Sequence, residues 1–170
     1  MQILHVVSLM VLSVPLFAGC GLFVDLGNPS AANDPAAQGA FVTVRVVNCF
    51  GEIRESARAP FPSKFTTVSA TAEGLVNGHR VSAPFRLEKL TTPGLSVLRW
   101  DKPNEGVWLL YFRVADAGPY YIGGFPQTVT SALVPVRRGA AEIGTQPVRT
   151  PARPDEIDAA LRELSSGQPY

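Results

Sequence analysis

This sequence is poor in the side chains that ligate metals or catalyse nucleophilic hydrolysis. Its 170 residues include two histidines, two cysteines and two methionines, and His5 and both methionines lie in an apolar N-terminal run. The one histidine beyond that run and the two widely spaced cysteines cannot supply a zinc or copper site. A Ser-His-Asp set would need His79, which follows a tight-turn signal. We therefore predict no catalytic residues, no metal and no cofactor.

The charge pattern excludes a nucleic-acid partner. Basic and acidic residues number 15 and 14, and no run of like charge forms a basic patch. Glu52, Glu55 and the acidic residues of 155–158 lie in loop or helix-start contexts, where solvated charge is the better interpretation. An envelope enzyme with an unrecognised carboxylate-based site stays open as the alternative function.

The N-terminal run has the layout of a secretory signal. The first charged residue is Asp25, the apolar core is residues 3–17, and small residues follow at Ala18 and Gly19. The stretch Leu16-Phe17-Ala18-Gly19-Cys20 resembles a bacterial lipobox, which ends small-small-Cys, with Phe17 where that family most often has leucine. The resemblance implies that residues 1–19 are a signal peptide. It also implies that Cys20 becomes the first mature residue and carries lipid chains such as palmitate.

Two other interpretations of this run stay open. About 20 apolar residues span a bilayer, so an uncleaved N-terminal helix could hold the chain in the membrane, although Pro15 and the Gly19/Gly21 pair favour a break. A plain signal peptide is the other interpretation. All three place the rest of the chain outside the cytoplasm. The lipobox resemblance also implies a destination: members with aspartate after the cysteine tend to stay at the inner membrane, so Gly21 favours the outer membrane of the bacterial cell envelope.

A tether and one β domain are predicted next. Residues 20–39 are rich in Gly, Pro, Ala and Asn, as expected for a lipid-anchored flexible tether. Residues 40–138 show strand signals about every 8–12 residues, separated by Gly, Pro and Asn turns, and no helical period. Asn77-Gly78 between two valines indicates a hairpin. This pattern predicts an all-β antiparallel sandwich of about seven strands.

The clearest strand pair is 93–100 and 107–114. In the second strand Trp108, Leu110 and Phe112 share one face and are predicted to lie in the core, while the other face is also largely apolar, as in a strand covered on both sides. This stretch resembles bacterial extracytoplasmic Ig-like domains, and more weakly the FixH/YtkA-like group. The residues that carry the resemblance are Pro93-Gly94, Pro103, Gly106 and Trp108. It implies an Ig-like sandwich, but not copper binding, because the His and Met ligands of that group are absent here.

Five aromatic residues form the candidate binding surface of the sandwich: Trp100, Tyr111, Tyr120, Tyr121 and Phe125. Solvent-facing aromatics on a β domain can stack on sugars or hold a peptide. The alternative is core packing for Trp100 and hairpin stabilisation for the others. The predicted function is a non-catalytic envelope lipoprotein that is anchored to the membrane and presents its sandwich to an envelope protein or a glycan.

The C-terminal part, residues 139–170, is predicted to be a Pro-rich linker and a short amphipathic helix. The helix signal covers 155–166, with Asp155 as a possible cap and Ile157, Leu161 and Leu164 on one face. Because three large apolar residues bury little surface, this helix is expected to be weakly held and its linker to lack a fixed conformation. Cys49, at the end of a strand signal, is predicted to be a buried thiol.

Overall fold

The described residues form a sandwich of two five-stranded antiparallel sheets, followed by one α-helix. The computed structural model describes residues 22–48, 66–116, 128–137 and 139–167. The strands are β1 (Leu22–Gly27), β2 (Val42–Asn48), β3 (Thr67–Val76), β4 (His79–Phe85), β5 (Glu88–Lys89), β6 (Leu95–Leu98), β7 (Val107–Asp116), β8 (Thr128–Arg137), β9 (Ala140–Ala141) and β10 (Gly144–Pro147), and the helix α1 spans Pro154–Ser165.

The strand order shows how the chain alternates between the sheets. The first sheet has the order β10-β1-β2-β6-β5 and the second has the order β4-β3-β7-β8-β9. The predicted all-β sandwich with a short C-terminal helix is confirmed. The described residues form ten strands rather than about seven, and β1, β9 and β10 lie where the sequence predicts tether or linker.

The core lies between the two sheets and follows from side-chain alternation along the strands. Val24, Leu26, Val42, Val44 and Val46 enter it from the first sheet, and Trp108, Leu110, Phe112, Val114 and Val134 enter it from the second. The predicted core positions Trp108, Leu110 and Phe112 are confirmed, with exposures of 3%, 0% and 0%. Burial of such side chains contributes roughly 1.5–3 kcal/mol each, so this layer supplies most of the favourable free energy of folding.

The predicted tether over 20–39 is wrong for the residues that the structure describes. β1 pairs with β2 on one side and β10 on the other, with Val24 opposite Val46 and Gln146. The alternation of Val24 and Leu26 with Asp25 is a strand pattern, but it directly follows the apolar run and is hard to separate from it.

After β1, two short 3₁₀ turns, Pro29–Ala31 and Pro35–Ala37, give the connection 28–41 a fixed path. An Asx-Pro pair begins each turn. The Asn28 side chain accepts a hydrogen bond from the amide of Ser30 at 2.9 Å, and the Asp34 side chain accepts one from the amide of Ala36 at 2.9 Å. Such caps satisfy amides that a flexible spacer would leave to water.

The connection 28–41 covers the outer face of the first sheet. Arg99 donates to the carbonyls of Ala36 at 2.5 Å and Gln38 at 3.0 Å, and Ala37 is completely buried. Val97, which alternates with the core residue Leu98 and so faces away from the core, is completely buried as well. The first sheet therefore has apolar residues buried on both faces.

The segment after Arg138 is also ordered where the structure describes it, so the prediction of a linker without fixed conformation is wrong there. β9 pairs with the end of β8, with Val136 opposite Ala141, and β10 pairs with β1 across the sandwich. The sequence signal for strand β10 is weak. Half-buried and exposed residues alternate along Gly144–Pro147, but none of them has a large apolar side chain.

α1 packs against the outer face of the second sheet. Ile157, Ala160 and Leu161 contact Leu109 of β7, with Leu75, Val107 and Leu133 half-buried around them. The expectation of a weakly held helix is therefore wrong. The second sheet supplies an apolar outer face that the helix sequence alone could not reveal. At the helix start, the N-cap is Arg153 rather than Asp155, and its amide donates to the Glu156 carboxylate at 2.8 Å.

An ion-pair network joins α1 to the edge of the second sheet. Arg80 of β4 donates to Glu73 at 3.1 Å, to Asp158 of the helix at 2.9 Å and to the carbonyl of Pro154 at 3.2 Å. Glu73 is 5% exposed and also accepts a hydrogen bond from Ser82 at 3.0 Å. Since an unpaired buried carboxylate is costly, Arg80 fixes the helix start and satisfies Glu73 at the same time.

Leu161→Ala should lower the free energy of unfolding by about 2–5 kcal/mol, because it leaves a cavity between α1 and the second sheet. Arg162→Ala, at an exposed neighbouring position, should change it by less than about 0.5 kcal/mol. Urea melts followed by tryptophan fluorescence measure both. Equal effects of the two variants would contradict the docking of α1.

Candidate functional site

A cleft lies beside β8, where the chain crosses from the first sheet to the second. Its volume is about 660 Å³, and it is bordered by β8, by the end of β10 and by the residues that lead into α1. We call it the β8 cleft. The residues that matter here are Ser131, Leu133, Gln146, Arg149, Thr150 and Arg153.

Ser131 fixes the wall of this cleft. The crossing segment, residues 148–153, leaves β10 and runs along β8. The amide of Ser131 donates to the Arg149 carbonyl at 2.8 Å, and the amide of Arg149 donates back to the Ser131 carbonyl at 2.8 Å. The Ser131 hydroxyl accepts from the amide of Ala152 at 3.0 Å. Ser131 thus holds the crossing segment through three of its own groups: the amide, the carbonyl and the hydroxyl.

The edge of β8 is partly open inside the cleft. On one side residues 128–136 of β8 pair with β7, but on the other the described residues that pair with β8 are only Arg149, at Ser131, and β9, at residues 136–137. Alternate residues of an antiparallel strand direct their amide and carbonyl to the same side. The backbone groups of Leu133 therefore point the same way as those of Ser131, toward the cleft. Pro135, two residues on, has no amide to donate, so the open edge is short.

Of the two arginines that line the cleft, Arg149 is not neutralised by any described carboxylate. Arg153 lies 3.3 Å from the Asp155 carboxylate and 3.4 Å from that of Glu156. Arg149 is exposed, and within the described ranges no carboxylate pairs with its guanidinium. The side chains of Gln146 and Thr150 add amide and hydroxyl groups beside it. The arrangement suits a ligand with a carboxylate and free backbone hydrogen-bonding groups.

The structure does not place the predicted aromatic residues on one surface. Trp100 packs against the core, with ring centroids 5.2 Å from Phe41, 5.4 Å from Phe85 and 5.4 Å from Trp108. Its position agrees with the alternative interpretation, core packing. Tyr111 is half-buried on the opposite, outer face of the second sheet, between Thr71 and Leu133.

The other three predicted aromatic residues, Tyr120, Tyr121 and Phe125, lie outside the described residues, as do Cys20 and Cys49. The cleft was missed from the sequence because its walls come from separate segments with ordinary polar residues. The only sequence signal in this segment is the pair Pro151 and Pro154, and prolines at this density predict a linker.

The two buried carboxylates of the described chain are both held by local donors. Glu73 pairs with Arg80, and the Asp34 carboxylate accepts from the hydroxyl of Thr91 at 2.6 Å and from its amide at 3.0 Å. The Thr91 hydroxyl, followed by the Ala36 amide, lowers the pKa of Asp34, and burial opposes them. Both carboxylates therefore join segments of the fold. His79 is exposed at the start of β4.

Among residues 22–48, 66–116, 128–137 and 139–167, no group of three or more His, Cys, Asp or Glu side chains could hold a metal ion. Within the same ranges, no helix is long and apolar enough to cross a membrane. No protein-family model matches the chain, and no curated protein or solved structure is significantly similar to it. Its function must be inferred from its own residues.

Asp34→Asn should destabilise the protein at pH 7 and flatten its loss of stability in acid. Because the folded state lowers the pKa of Asp34, the unfolded chain takes up the proton first as the pH falls. The stabilisation is therefore complete above the ordinary aspartate value of about 3.9 and is lost as the pH falls through the lower folded value. Urea melts between pH 7 and pH 3 measure this, with exposed Asp101→Asn as the control. A variant that loses the same stability at both ends of this range would contradict it.

Proposed function

We propose that this protein is a non-catalytic lipoprotein of the bacterial cell envelope, anchored by acyl chains on Cys20, which binds an extended segment of another envelope protein in the β8 cleft. The observation that carries the anchor is the small-small-Cys sequence, whose cysteine lies two positions before the first residue of β1. The observation that carries the binding is the open edge of β8 beside Arg149, which no carboxylate of the described residues pairs with.

The start of β1 favours a cleaved signal over an uncleaved helix. Residues 22–24 continue the uncharged N-terminal run in the sequence, but in the structure they are part of the first sheet. A membrane helix could use only residues up to 21, and Pro15 and two glycines interrupt that stretch. The uninterrupted part, residues 3–14, has the length of a signal-peptide core and is too short to span a bilayer.

The volume of the β8 cleft is typical of a ligand-binding site. Its volume of about 660 Å³ falls within the roughly 300–1,000 Å³ typical of ligand sites. The amide and carbonyl of Leu133 can pair with the backbone of an added strand, which is a common way to bind an extended peptide. Arg149 would contact an acidic side chain or a terminal carboxylate of that peptide.

The same geometry favours a protein segment over a glycan. Sugar binding on a β domain relies on the exposed face of an aromatic ring. Trp100 uses its ring in the core, and the described residues of the cleft wall include no aromatic side chain. Backbone groups on a strand edge are instead complementary to another polypeptide.

The anchor is tested by metabolic labelling with palmitate in a bacterial host. We expect label in the wild type and in Cys49→Ser, and none in Cys20→Ser, because only the first mature cysteine is acylated. The Cys20→Ser protein should also leave the membrane fraction. Equal labelling of Cys20→Ser would exclude this anchor.

The cleft is tested by site-specific photocrosslinking in cells that carry the full-length protein. A crosslinking amino acid at Thr150, inside the cleft, should give a discrete protein adduct, whereas one at Asn104, in the exposed loop before β7, should not. Arg149→Ala should reduce the Thr150 adduct without changing protein abundance, because Arg149 bonds to the described part of the fold through its backbone, which alanine retains. No adduct at Thr150, or one unaffected by Arg149→Ala, would rule out binding in the cleft.

A further inference from the structure

One residue, Gly21, separates the proposed anchor from the folded domain. Consecutive Cα atoms are about 3.8 Å apart, so the Cα of Leu22 lies within about 8 Å of that of Cys20 in any conformation. β1 cannot detach to lengthen this connection without breaking the first sheet, because all six of its residues pair with β2 and four also pair with β10. The acyl chains therefore hold the start of β1 close to the lipid.

The strand registers show which part of the sandwich lies at the start of β1. Leu22 is opposite Asn48, the last residue of β2, and the turn at 91–94 precedes β6 at the same end. Pro147 is opposite Phe23, and Arg149, two residues on, bridges to Ser131 near the start of β8. In the second sheet β3 and β8 therefore begin at this end, and β7 ends there. We call this the anchor end. The hairpin turn Asn77-Gly78 and the loop 101–106 lie at the opposite end, which we call the distal end.

We propose that the anchor end lies against the phospholipid surface and that the distal end points away from the membrane, a fixed orientation that rests on the proposed acylation of Cys20. The ten residues of β7 run between the two ends, a length of about 33 Å. The distal end is therefore well beyond the headgroups, whereas the exposed turn at 91–94 is next to them.

Exposed groups near the anchor end are compatible with a lipid surface. Arg149 follows β10 at the level of the start of β1, and Arg113 lies on β7 opposite Ser69 and Ser131; both arginines are exposed. Cationic side chains at this depth are attracted to anionic headgroups. The β8 cleft, which contains Arg149, would then open near the membrane, where a membrane-proximal segment of a partner can reach it.

The test compares fluorescent labels at the two ends of the acylated protein. Thr92→Cys places the label at the anchor end and Asn104→Cys at the distal end, each in a Cys49→Ser background with unchanged melting temperature. The acylated proteins are purified from membranes and reconstituted in phosphatidylcholine–phosphatidylglycerol vesicles with a headgroup-linked nitroxide lipid. We expect loss of fluorescence at position 92 and none at position 104.

A matched variant carries a flexible Gly-Ser insertion of about 20 residues between Gly21 and Leu22, with a root-mean-square span of about 25 Å. This insertion should abolish the quenching at position 92 while the protein still floats with the vesicles. Quenching that is equal at the two positions, or unchanged by the insertion, would overturn the orientation and leave the anchor intact. If Cys20 carries no acyl group and the protein does not float, the proposed anchor fails and the orientation fails with it.

Discussion

The fold depends on apolar residues that occupy both faces of β7. Trp108, Leu110 and Phe112 enter the space between the sheets, while Leu109 on the other face is equally buried. A two-layer sandwich would leave that second face in water, and exposing a buried leucine costs roughly 1.5–3 kcal/mol. A third layer is therefore required, and α1 supplies it with Ile157, Ala160 and Leu161. The first sheet meets the same constraint with the connection 28–41.

Polar contacts then fix where each covering layer lies. Hydrophobic burial has little directional preference, so it does not by itself set the position of a short helix on a sheet. The Glu73–Arg80–Asp158 network gives α1 one position, and the Asp34–Thr91 pair does the same for the connection 28–41. Side-chain exposures of 32% for Arg80 and 40% for Asp158 mean that their attraction is screened by water, so these contacts contribute more to position than to stability.

Local patterns account for the part of the fold that the sequence predicts. Asn77-Gly78 forms the expected hairpin turn, with φ values of 51° and 78° that favour these two residue types. The alternation in β7 correctly assigns the core. By contrast, β1 follows an apolar run without a boundary signal, and its partner β10 is more than a hundred residues away in the chain. The sequence around the Asx-Pro turns at Asn28 and Asp34 resembles a flexible spacer. The turns are held by side-chain capping hydrogen bonds, which leave no apolar periodicity in the sequence.

The candidate site was harder to predict for a related reason. The β8 cleft forms where β10 leaves one sheet and the crossing segment meets the other. Its position therefore depends on the pairing of β1 with β10, and it cannot be recognised without that pairing. Its walls carry a buried serine, two arginines and open backbone groups, none of which has a sequence signature. The same pairing fixes the start of β1 within the sheet, next to the cysteine. A single strand pair that the sequence does not reveal thus determines both the shape of the cleft and the distance between the domain and its proposed anchor. Under the proposed anchor and orientation, a partner that reaches this cleft would therefore approach along the membrane rather than from the distal end.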